Sequence, residues 1–337
     1  MHEKLNLQKQ KDFSGVVYVQ RKGKVEVEKS YGYANRSHSV KNNIDTRFGI
    51  ASGCKLFTAI AICQLVEQDK LSFHSKLSEC LPYEFKHIDL GVTVHQLLTH
   101  TSGIPDYFDE EEMDDFEELW EQNPMYLIRK PADFLPMFSN KPMKFTPGEK
   151  FHYNNAGYIL LGLIIEAISG MGFSQYVEKY IFRKAAMVDS GYFSLDSLPE
   201  NTALGYIELP GKEWKTNIYS LPVKGGPDGG AFVTAEDMTK LWSQLIHCKL
   251  LNEETTNILL SPMIQANKNV FYGYGVWLSK KSTGEILKYH VMGYDPGVSF
   301  HSAYYPQSSF ISTICSNKSE GAFEMMRLVE EEIILEK

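Results

Sequence analysis

The sequence predicts an α/β (α+β) fold in which both ends of the chain build one antiparallel sheet and a helical segment is inserted between them. Strand-like runs occur near the amino terminus and again after residue 271, while residues between about 75 and 220 carry helix and loop signals. We expect an α/β lobe with a terminal helix from residues 1–75 and 221–337, and a mostly helical lobe from 76–220. With 337 residues, 43% of them hydrophobic, the chain can fill the core of one such domain.

The strands are predicted from alternation of apolar and polar residues. Residues 15–33 alternate on either side of Arg21-Lys22-Gly23-Lys24, which indicates a hairpin. Further strand-like runs lie at 272–278, 286–292, 298–304 and 309–315, and residues 321–337 form an amphipathic helical pattern. Strands from both termini can therefore share one sheet.

Two helices are predicted to be buried. Residues 52 to about 68 are apolar on almost every face, and residues 158–168 form a second apolar helix that ends at Ser169-Gly170. The first turn of the earlier helix contains the polar pair Ser52 and Lys55. The ten acidic residues in 106–121 are interpreted as a solvated helix face; the alternative is that they bias the cleft entrance towards cationic substrates.

Composition excludes several classes of function. A formal net charge of -8 gives no basic surface for nucleic acid. Five cysteines without a C-x-x-C pair indicate reduced, mostly buried thiols, and no metal-ligand spacing or cofactor motif is found. The segment Met1–Lys9 lacks the apolar core of a signal peptide, and no window reaches the ~20 apolar residues of a membrane span. We expect a cytoplasmic protein that acts on a small molecule or short peptide.

Ser52 and Lys55 are the candidate nucleophile and base. Their spacing of three places both side chains on one face of a helix, within reach for proton exchange. Spacing alone is weak evidence, but a lysine at the start of an apolar helix is costly to bury and needs a reason. The backbone N–H of Ser52 can also stabilise an oxyanion.

Five segments, in order along the chain, resemble the serine β-lactamase and penicillin-binding protein family, which includes class C β-lactamases, DD-peptidases and related esterases. The segments are Phe48 to Thr58, Thr93 to Ile104, Phe145 to Gly162, Gly225 to Asp237 and Tyr294 to Ser299. The resemblance implies the β-lactamase/transpeptidase-like fold. It also implies that the S-x-x-K motif supplies a serine nucleophile.

By this resemblance, Tyr153 and Asn155 form the Y-x-N motif on the loop before the second apolar helix. We expect a lysine cation to lower the pKa of the Tyr153 phenol, so that it takes the Ser52 proton and passes it to the leaving group. Asn155 would orient Lys55 and bind the substrate amide. His100 is expected to be structural, and Cys54 to be packed in the core.

The third family motif is altered in this sequence. The family has a cation or His, then Thr or Ser, then Gly, whereas this chain has Val291-Met292-Gly293. His290 lies one position early, so it should point away from the site unless a bulge corrects the register. Gly293 and the backbone N–H of Tyr294 can still border the oxyanion.

The sequence therefore predicts a serine hydrolase that forms an acyl-enzyme with a β-lactam, a D-amino-acid peptide or a carboxylic ester, without a cofactor. Because the altered motif lacks the groups that hold a substrate carboxylate, we expect weak β-lactamase activity and better turnover of esters or amides without that group. Two alternatives remain: a non-catalytic or slowly deacylating penicillin-binding sensor, and an aminopeptidase or transferase acting on D-amino-acid peptides.

Overall fold

The computed structural model describes residues 12–113 and 116–334. The predicted absence of a signal peptide concerns Met1–Lys9, which lie outside the described residues. The same is true of residues 335–337 at the end of the predicted terminal helix.

One antiparallel sheet joins the two ends of the chain, as predicted. In the described residues it contains eight strands, in the order β2-β1-β14-β13-β12-β11-β10-β9. The strands, including three short pairs outside this sheet, are β1 (Gly15–Arg21), β2 (Lys24–Tyr31), β3 (Tyr33–Asn35), β4 (Val40–Lys41), β5 (Phe48–Gly49), β6 (Tyr206–Glu208), β7 (Trp214–Thr216), β8 (Phe232–Val233), β9 (Ile264–Asn267), β10 (Val270–Tyr272), β11 (Trp277–Lys280), β12 (Ile286–Asp295), β13 (Val298–Tyr305) and β14 (Phe310–Ser316).

The amino-terminal and carboxy-terminal strands pair over their full length. Val17 of β1 lies opposite Ile314 of β14, and both are fully buried. Alternation gives the sheet two apolar faces, so it must be covered on both sides. The predicted strand 272–278 is interrupted, since the chain turns between β10 and β11 with Gly275 at φ +69°.

Helices cover both faces of the sheet. α8 contacts β1 and β14 on one face, and α10 contacts β13 and β14 on the other, where a separate apolar cluster lies. The helices are α1 (Lys55–Glu67), α2 (Leu77–Cys80), α3 (Val94–Leu98), α4 (Glu117–Gln122), α5 (Leu135–Phe138), α6 (Asn155–Ser169), α7 (Phe173–Val177), α8 (Ala235–Ile246), α9 (Glu253–Leu259) and α10 (Ala322–Val329).

The two predicted apolar helices, α1 and α6, pack against each other in the core. Residues 55–65 of α1 are all buried, as its lack of a polar face indicates. The Asn154 side chain caps the start of α6, and Gly170, in a left-handed conformation, ends it. One apolar cluster contains residues of both predicted lobes, and the proposed lobe boundaries remain a prediction.

The acidic segment differs from its interpretation as a solvated helix face. In the described part of this segment the helix covers Glu117–Gln122, and Asp106 and Asp109 are buried. Asp109 forms an ion pair with Lys144 and hydrogen-bonds His152, so these carboxylates are structural partners.

No single described helix is long and apolar enough to cross a bilayer, although α6 and the helical segment 173–182, bent by 74°, together have the length and composition of a membrane span.

Candidate active site

Ser52 lies in a tight turn between β5 and α1. The turn is a short 3₁₀ helix, Ala51–Cys54, in which Ala51 has φ +43°. A left-handed conformation costs a non-glycine residue roughly 1–2 kcal/mol, so neighbouring contacts must impose it. Ile50 N–H donates to the Ala231 carbonyl at 3.0 Å, and Gly230 N–H donates to the Ala51 carbonyl at 3.3 Å. The segment around residue 230 thus fixes the position of Ser52.

Lys55 is buried beside Ser52 and has three hydrogen-bond acceptors. Its Nζ lies 2.9 Å from Ser52 Oγ, 2.8 Å from Asn155 Oδ1 and 2.7 Å from the Asp228 carbonyl oxygen. Three acceptors match the three protons of an ammonium group. If the amine loses one proton, the amide and carbonyl oxygens can only accept, so the free lone pair faces the Ser52 hydroxyl. The geometry therefore directs the lone pair of a neutral Lys55 amine at the Ser52 hydroxyl proton.

Tyr153 lies beside Ser52 and Lys55, the other two residues that the sequence predicted to be catalytic. Its hydroxyl hydrogen-bonds Ser52, and its ring centroid lies 4.9 Å from Lys55 Nζ. The expected lowering of its pKa is wrong: burial, with a contribution from the charge of Glu110, raises the pKa of Tyr153 well above its ordinary value. The ammonium lies over the ring face and is already shared among three acceptors, while the phenol has lost its hydration. Tyr153 is therefore held as a neutral phenol.

His100 supports the Tyr153 loop. Its Nδ1 accepts a hydrogen bond from the Asn154 N–H at 3.0 Å, and its ring lies 4.4 Å from the Tyr153 ring. Burial lowers the pKa of His100 well below its ordinary value, so the ring is neutral and can accept this bond. These contacts agree with the structural role expected for His100.

Asn155 is the first residue of α6, and its amide is oriented from both ends. Nδ2 donates to the Phe108 carbonyl at 3.3 Å, which leaves Oδ1 facing Lys55. Asp106 accepts the N–H groups of Asn155 and Ala156 at 2.6 and 3.0 Å. Burial raises the pKa of Asp106 to about 7, although its N–H donors act in the opposite direction. This carboxyl anchors the start of α6.

Two carboxyl groups near Ser52, the buried Asp228 and the half-buried Asp295, were not singled out by the sequence. Asp228 belongs to the G-G-P-D-G-G segment, accepts a hydrogen bond from the Tyr107 hydroxyl, and has a pKa raised by burial. Asp295 lies at the end of β12, where burial and the charge of Asp228 raise its pKa to about 8. An isolated aspartate in a turn is common in any sequence, so no signal separated these two from solvated turn residues.

Gly293 of the altered third motif packs directly on the nucleophile turn. A Cβ at this position would lie 2.1 Å from the Ile50 carbonyl oxygen and 2.8 Å from the Ser52 nitrogen, so only glycine permits the contact. Tyr294 follows, with its side chain exposed. Asp295 and Val298 pair across a two-residue turn, and alternation along the ladder then directs the Tyr294 N–H away from β13.

His290 is not brought to the site. It projects from the opposite face of β12, where its Nε2 lies 3.2 Å from Ser279 Oγ and its ring stacks on His301 with centroids 5.2 Å apart. Burial lowers the pKa of His290 well below its ordinary value. The alternation of side chains in a regular strand explains this position, since no bulge between β12 and β13 corrects the register.

A cavity of about 70 Å³ opens beside Ser52. Ser52 and Asn155 line it, and its walls are largely apolar. The acidic side chains that border it are Glu110, Asp228 and Asp295, and among the described residues neither Lys nor Arg lines it. Within residues 12–113 and 116–334, no group of three or more His, Cys, Asp or Glu residues is arranged to hold a metal ion.

Comparison with known proteins agrees with the predicted fold and family. The chain is 29% identical over 327 residues to a penicillin-binding protein of Bacillus subtilis (strain 168), covering 91% of this chain and 69% of that protein. It is similar to the crystal structure of a penicillin-binding protein from Bacillus halodurans, with 55% identity, a TM-score of 0.93 and coverage of 96% and 98% of the two chains. The D-amino acid amidase of Ochrobactrum anthropi SV3 shares the fold, with 20% identity, a TM-score of 0.81 and coverage of 99% and 97%. The Beta-lactamase family model matches residues 6–330, and the chain therefore belongs to that family.

Proposed function

We propose that this chain is a serine hydrolase that cleaves an amide or ester through an acyl-enzyme on Ser52. The observation that carries the proposal is the 2.9 Å contact between Lys55 Nζ and Ser52 Oγ in a buried site, with the Tyr153 hydroxyl bonded to the same serine. A nucleophile and proton carriers within hydrogen-bond reach are what acyl transfer requires.

The first step starts from the neutral amine of Lys55. Ser52 attacks the substrate carbonyl as its proton moves to the lone pair of Lys55 Nζ, which becomes an ammonium group. The N–H of Ser52 and the N–H of Tyr294 are the proposed oxyanion donors, because Gly293 lies against the nucleophile turn. Tyr153, a neutral phenol, donates a proton to the leaving group and is reprotonated through Lys55. Water then attacks the acyl-enzyme with the same groups acting in reverse, which frees Ser52 and the acid product.

The altered third motif limits the range of substrates that we expect. Val291 lies on the same face of β12 as Gly293 and is buried, so it cannot supply the charge that holds a substrate carboxylate. We therefore propose weak hydrolysis of β-lactams and of peptides ending in a free carboxylate, with better turnover of esters and amides lacking that group. Rapid nitrocefin turnover, as fast as hydrolysis of p-nitrophenyl esters, would contradict this substrate preference.

Labelling by a fluorophosphonate probe tests the nucleophile. We expect the wild-type chain and a Ser78→Ala control to be labelled and to hydrolyse p-nitrophenyl esters, and Ser52→Ala to do neither; Ser78 is an exposed serine of α2. A stable adduct on Ser52 with one substrate equivalent released would instead indicate the slowly deacylating penicillin-binding alternative. Equal labelling of Ser52→Ala and wild type would refute both.

A further inference from the structure

We propose that His152 and Asp109 are positioning residues for Tyr153, and that the hydrogen bond between them keeps the phenol where it can protonate the leaving group. The inference rests on the proposed function for the role of Tyr153. Neither His152 nor Asp109 belongs to the S-x-x-K or the Y-x-N motif.

Tyr153 lies in a loop whose position depends on individual contacts. Residues 151–154 form neither helix nor strand, and α6 begins only at Asn155. The Tyr153 ring packs against His100 and Trp277, with centroids 4.4 and 6.1 Å away. Ring packing restrains the orientation of a phenol, but the distance of its hydroxyl from Ser52 also depends on where the loop backbone is held.

The His152 side chain supplies a buried contact in this loop. It is 5% exposed, and its Nε2 donates to Asp109 Oδ2 at 3.0 Å. Burial acts to raise the pKa of Asp109, but the hydrogen bonds from Lys144 and His152 outweigh it and lower the pKa, so the carboxyl is ionised at neutral pH. Glu111 Oε1 lies 3.3 Å from the other ring nitrogen, but its side chain is 74% exposed and contributes little. The bond to Asp109 is therefore the strong one, because it is charge-assisted and buried.

Asp109 is fixed in turn to the rest of the site. The carbonyl of the preceding residue, Phe108, accepts Asn155 Nδ2 at 3.3 Å. The Asp109 carboxylate also pairs with Lys144, whose own N–H donates to the Gly103 carbonyl at 2.8 Å. The carboxylate is thus anchored independently of His152. The contact therefore holds the Tyr153 loop against the segment that orients Asn155.

A displaced Tyr153 should affect one part of the reaction more than the rest. Protonation of the leaving group requires the phenol within hydrogen-bond reach, whereas attack by Ser52 depends on Lys55. An alkoxide is a strong base and leaves poorly without a proton, while p-nitrophenolate and fluoride leave as anions. Loss of the contact should therefore slow substrates with basic leaving groups selectively.

Two substitutions at His152 separate the hydrogen bond from packing. His152→Leu occupies a similar volume without a donor, and His152→Gln keeps an N–H group near the position of Nε2. Asp109→Ala breaks the same contact from its other end. Glu112→Gln is the matched control, because Glu112 is 68% exposed, pairs with Lys144, and makes no contact with His152 in the described residues.

The assay is kcat/KM for methyl butyrate and for p-nitrophenyl butyrate, which share one acyl group and differ in the leaving group. We expect His152→Leu and Asp109→Ala to lower the value for methyl butyrate about tenfold or more, up to the loss of about 10²-fold that removal of the phenol itself would cause. The value for p-nitrophenyl butyrate and the rate of fluorophosphonate labelling should fall less than about threefold. His152→Gln should restore most of the methyl ester activity. Because both esters are compared within each variant, a smaller folded fraction lowers both equally and cannot imitate this result.

Hydrogen exchange gives a readout that does not depend on turnover. The N–H groups of His152 and Asn154 donate to the carbonyl and to Nδ1 of His100, at 2.9 and 3.0 Å. We expect these amides to exchange about tenfold faster in His152→Leu and Asp109→Ala, and at the wild-type rate in Glu112→Gln.

A double variant tests whether the contact acts through Tyr153. In a Tyr153→Phe background, His152→Leu should cause no further loss for methyl butyrate, because the group that it positions is already absent. A further loss there, equal losses for the two esters in His152→Leu, or unchanged exchange of the loop amides would overturn the inference. The proposed function would stand in those cases, since fluorophosphonate labelling reports on Ser52 directly. Absent labelling of the wild-type chain would instead refute the proposed function, and with it this role for Tyr153.

Discussion

Adding one methyl group at residue 293 should separate the nucleophile from the sheet. In Gly293→Ala the new Cβ would start 2.1 Å from the Ile50 carbonyl oxygen and 2.8 Å from the Ser52 nitrogen, and both of these are backbone atoms. The turn or β12 must move by roughly an ångström, and a displacement of about 1 Å in an active site can cost about 10²-fold in rate. That loss corresponds to about 2.7 kcal/mol of transition-state stabilisation.

The assay is the rate of fluorophosphonate labelling together with kcat/KM for a p-nitrophenyl ester. Gly172→Ala is the matched control, because its φ is -59° and the nearest atom to its new Cβ lies at 3.7 Å. Thermal unfolding should show an additional loss of about 1–3 kcal/mol for Gly293→Ala, as is usual for overpacking. If Gly293→Ala is labelled within about threefold of the wild-type rate and unfolds at the same temperature, close packing of β12 on the nucleophile turn does not position Ser52.

Three further outcomes follow from the site. Tyr153→Phe should fold normally but lose about 10²-fold in kcat for an amide, and an unchanged kcat would exclude Tyr153 as the proton donor. Cys54, whose pKa is raised to about 12 by burial, should resist iodoacetamide in the folded protein, and Cys54→Ala should retain ester hydrolysis. Asp295→Asn should stabilise the fold more at pH 8 than at pH 5, measured as the free energy of unfolding in urea. The pKa of the Asp295 carboxyl is about 8 in the folded protein and lower in the unfolded chain, so the wild-type protein loses free energy of unfolding as the pH rises between these two values. Asparagine does not ionise, so this loss is absent in Asp295→Asn. A stability difference between variant and wild type that does not change with pH would contradict this reasoning.

The nucleophile, its lysine and the buried helix could be predicted because they depend on local rules. Ser52 and Lys55 are three residues apart, and a helical turn fixes their relation wherever the helix lies. The apolar run of α1 indicated burial on every side in the same way. Alternating runs at both ends of the chain were sufficient to predict a shared sheet, in which β1 pairs with β14.

The electrostatics of the site could not be predicted from residue types. Tyr153 was expected to have a lowered pKa because a cation is near it, yet burial outweighs that cation. Asp228 and Asp295 are distant in sequence and gain their altered pKa values only when the fold removes water from both. Desolvation depends on everything that surrounds a group, and no short segment of sequence contains that information.

The sequence alone determined the family motifs, the apolar helix that begins behind Ser52, and the face of β12 on which His290 would lie, since helical and strand periods are properties of the local backbone. Only the tertiary structure decided that the Asp228 carbonyl shares the Lys55 ammonium with Asn155, and that a largely apolar cavity bordered by acidic side chains lies beside the nucleophile. The hydrogen bonds of Lys55 join residues 100 or more positions apart, and their free energies arise from the exclusion of water where the segments meet.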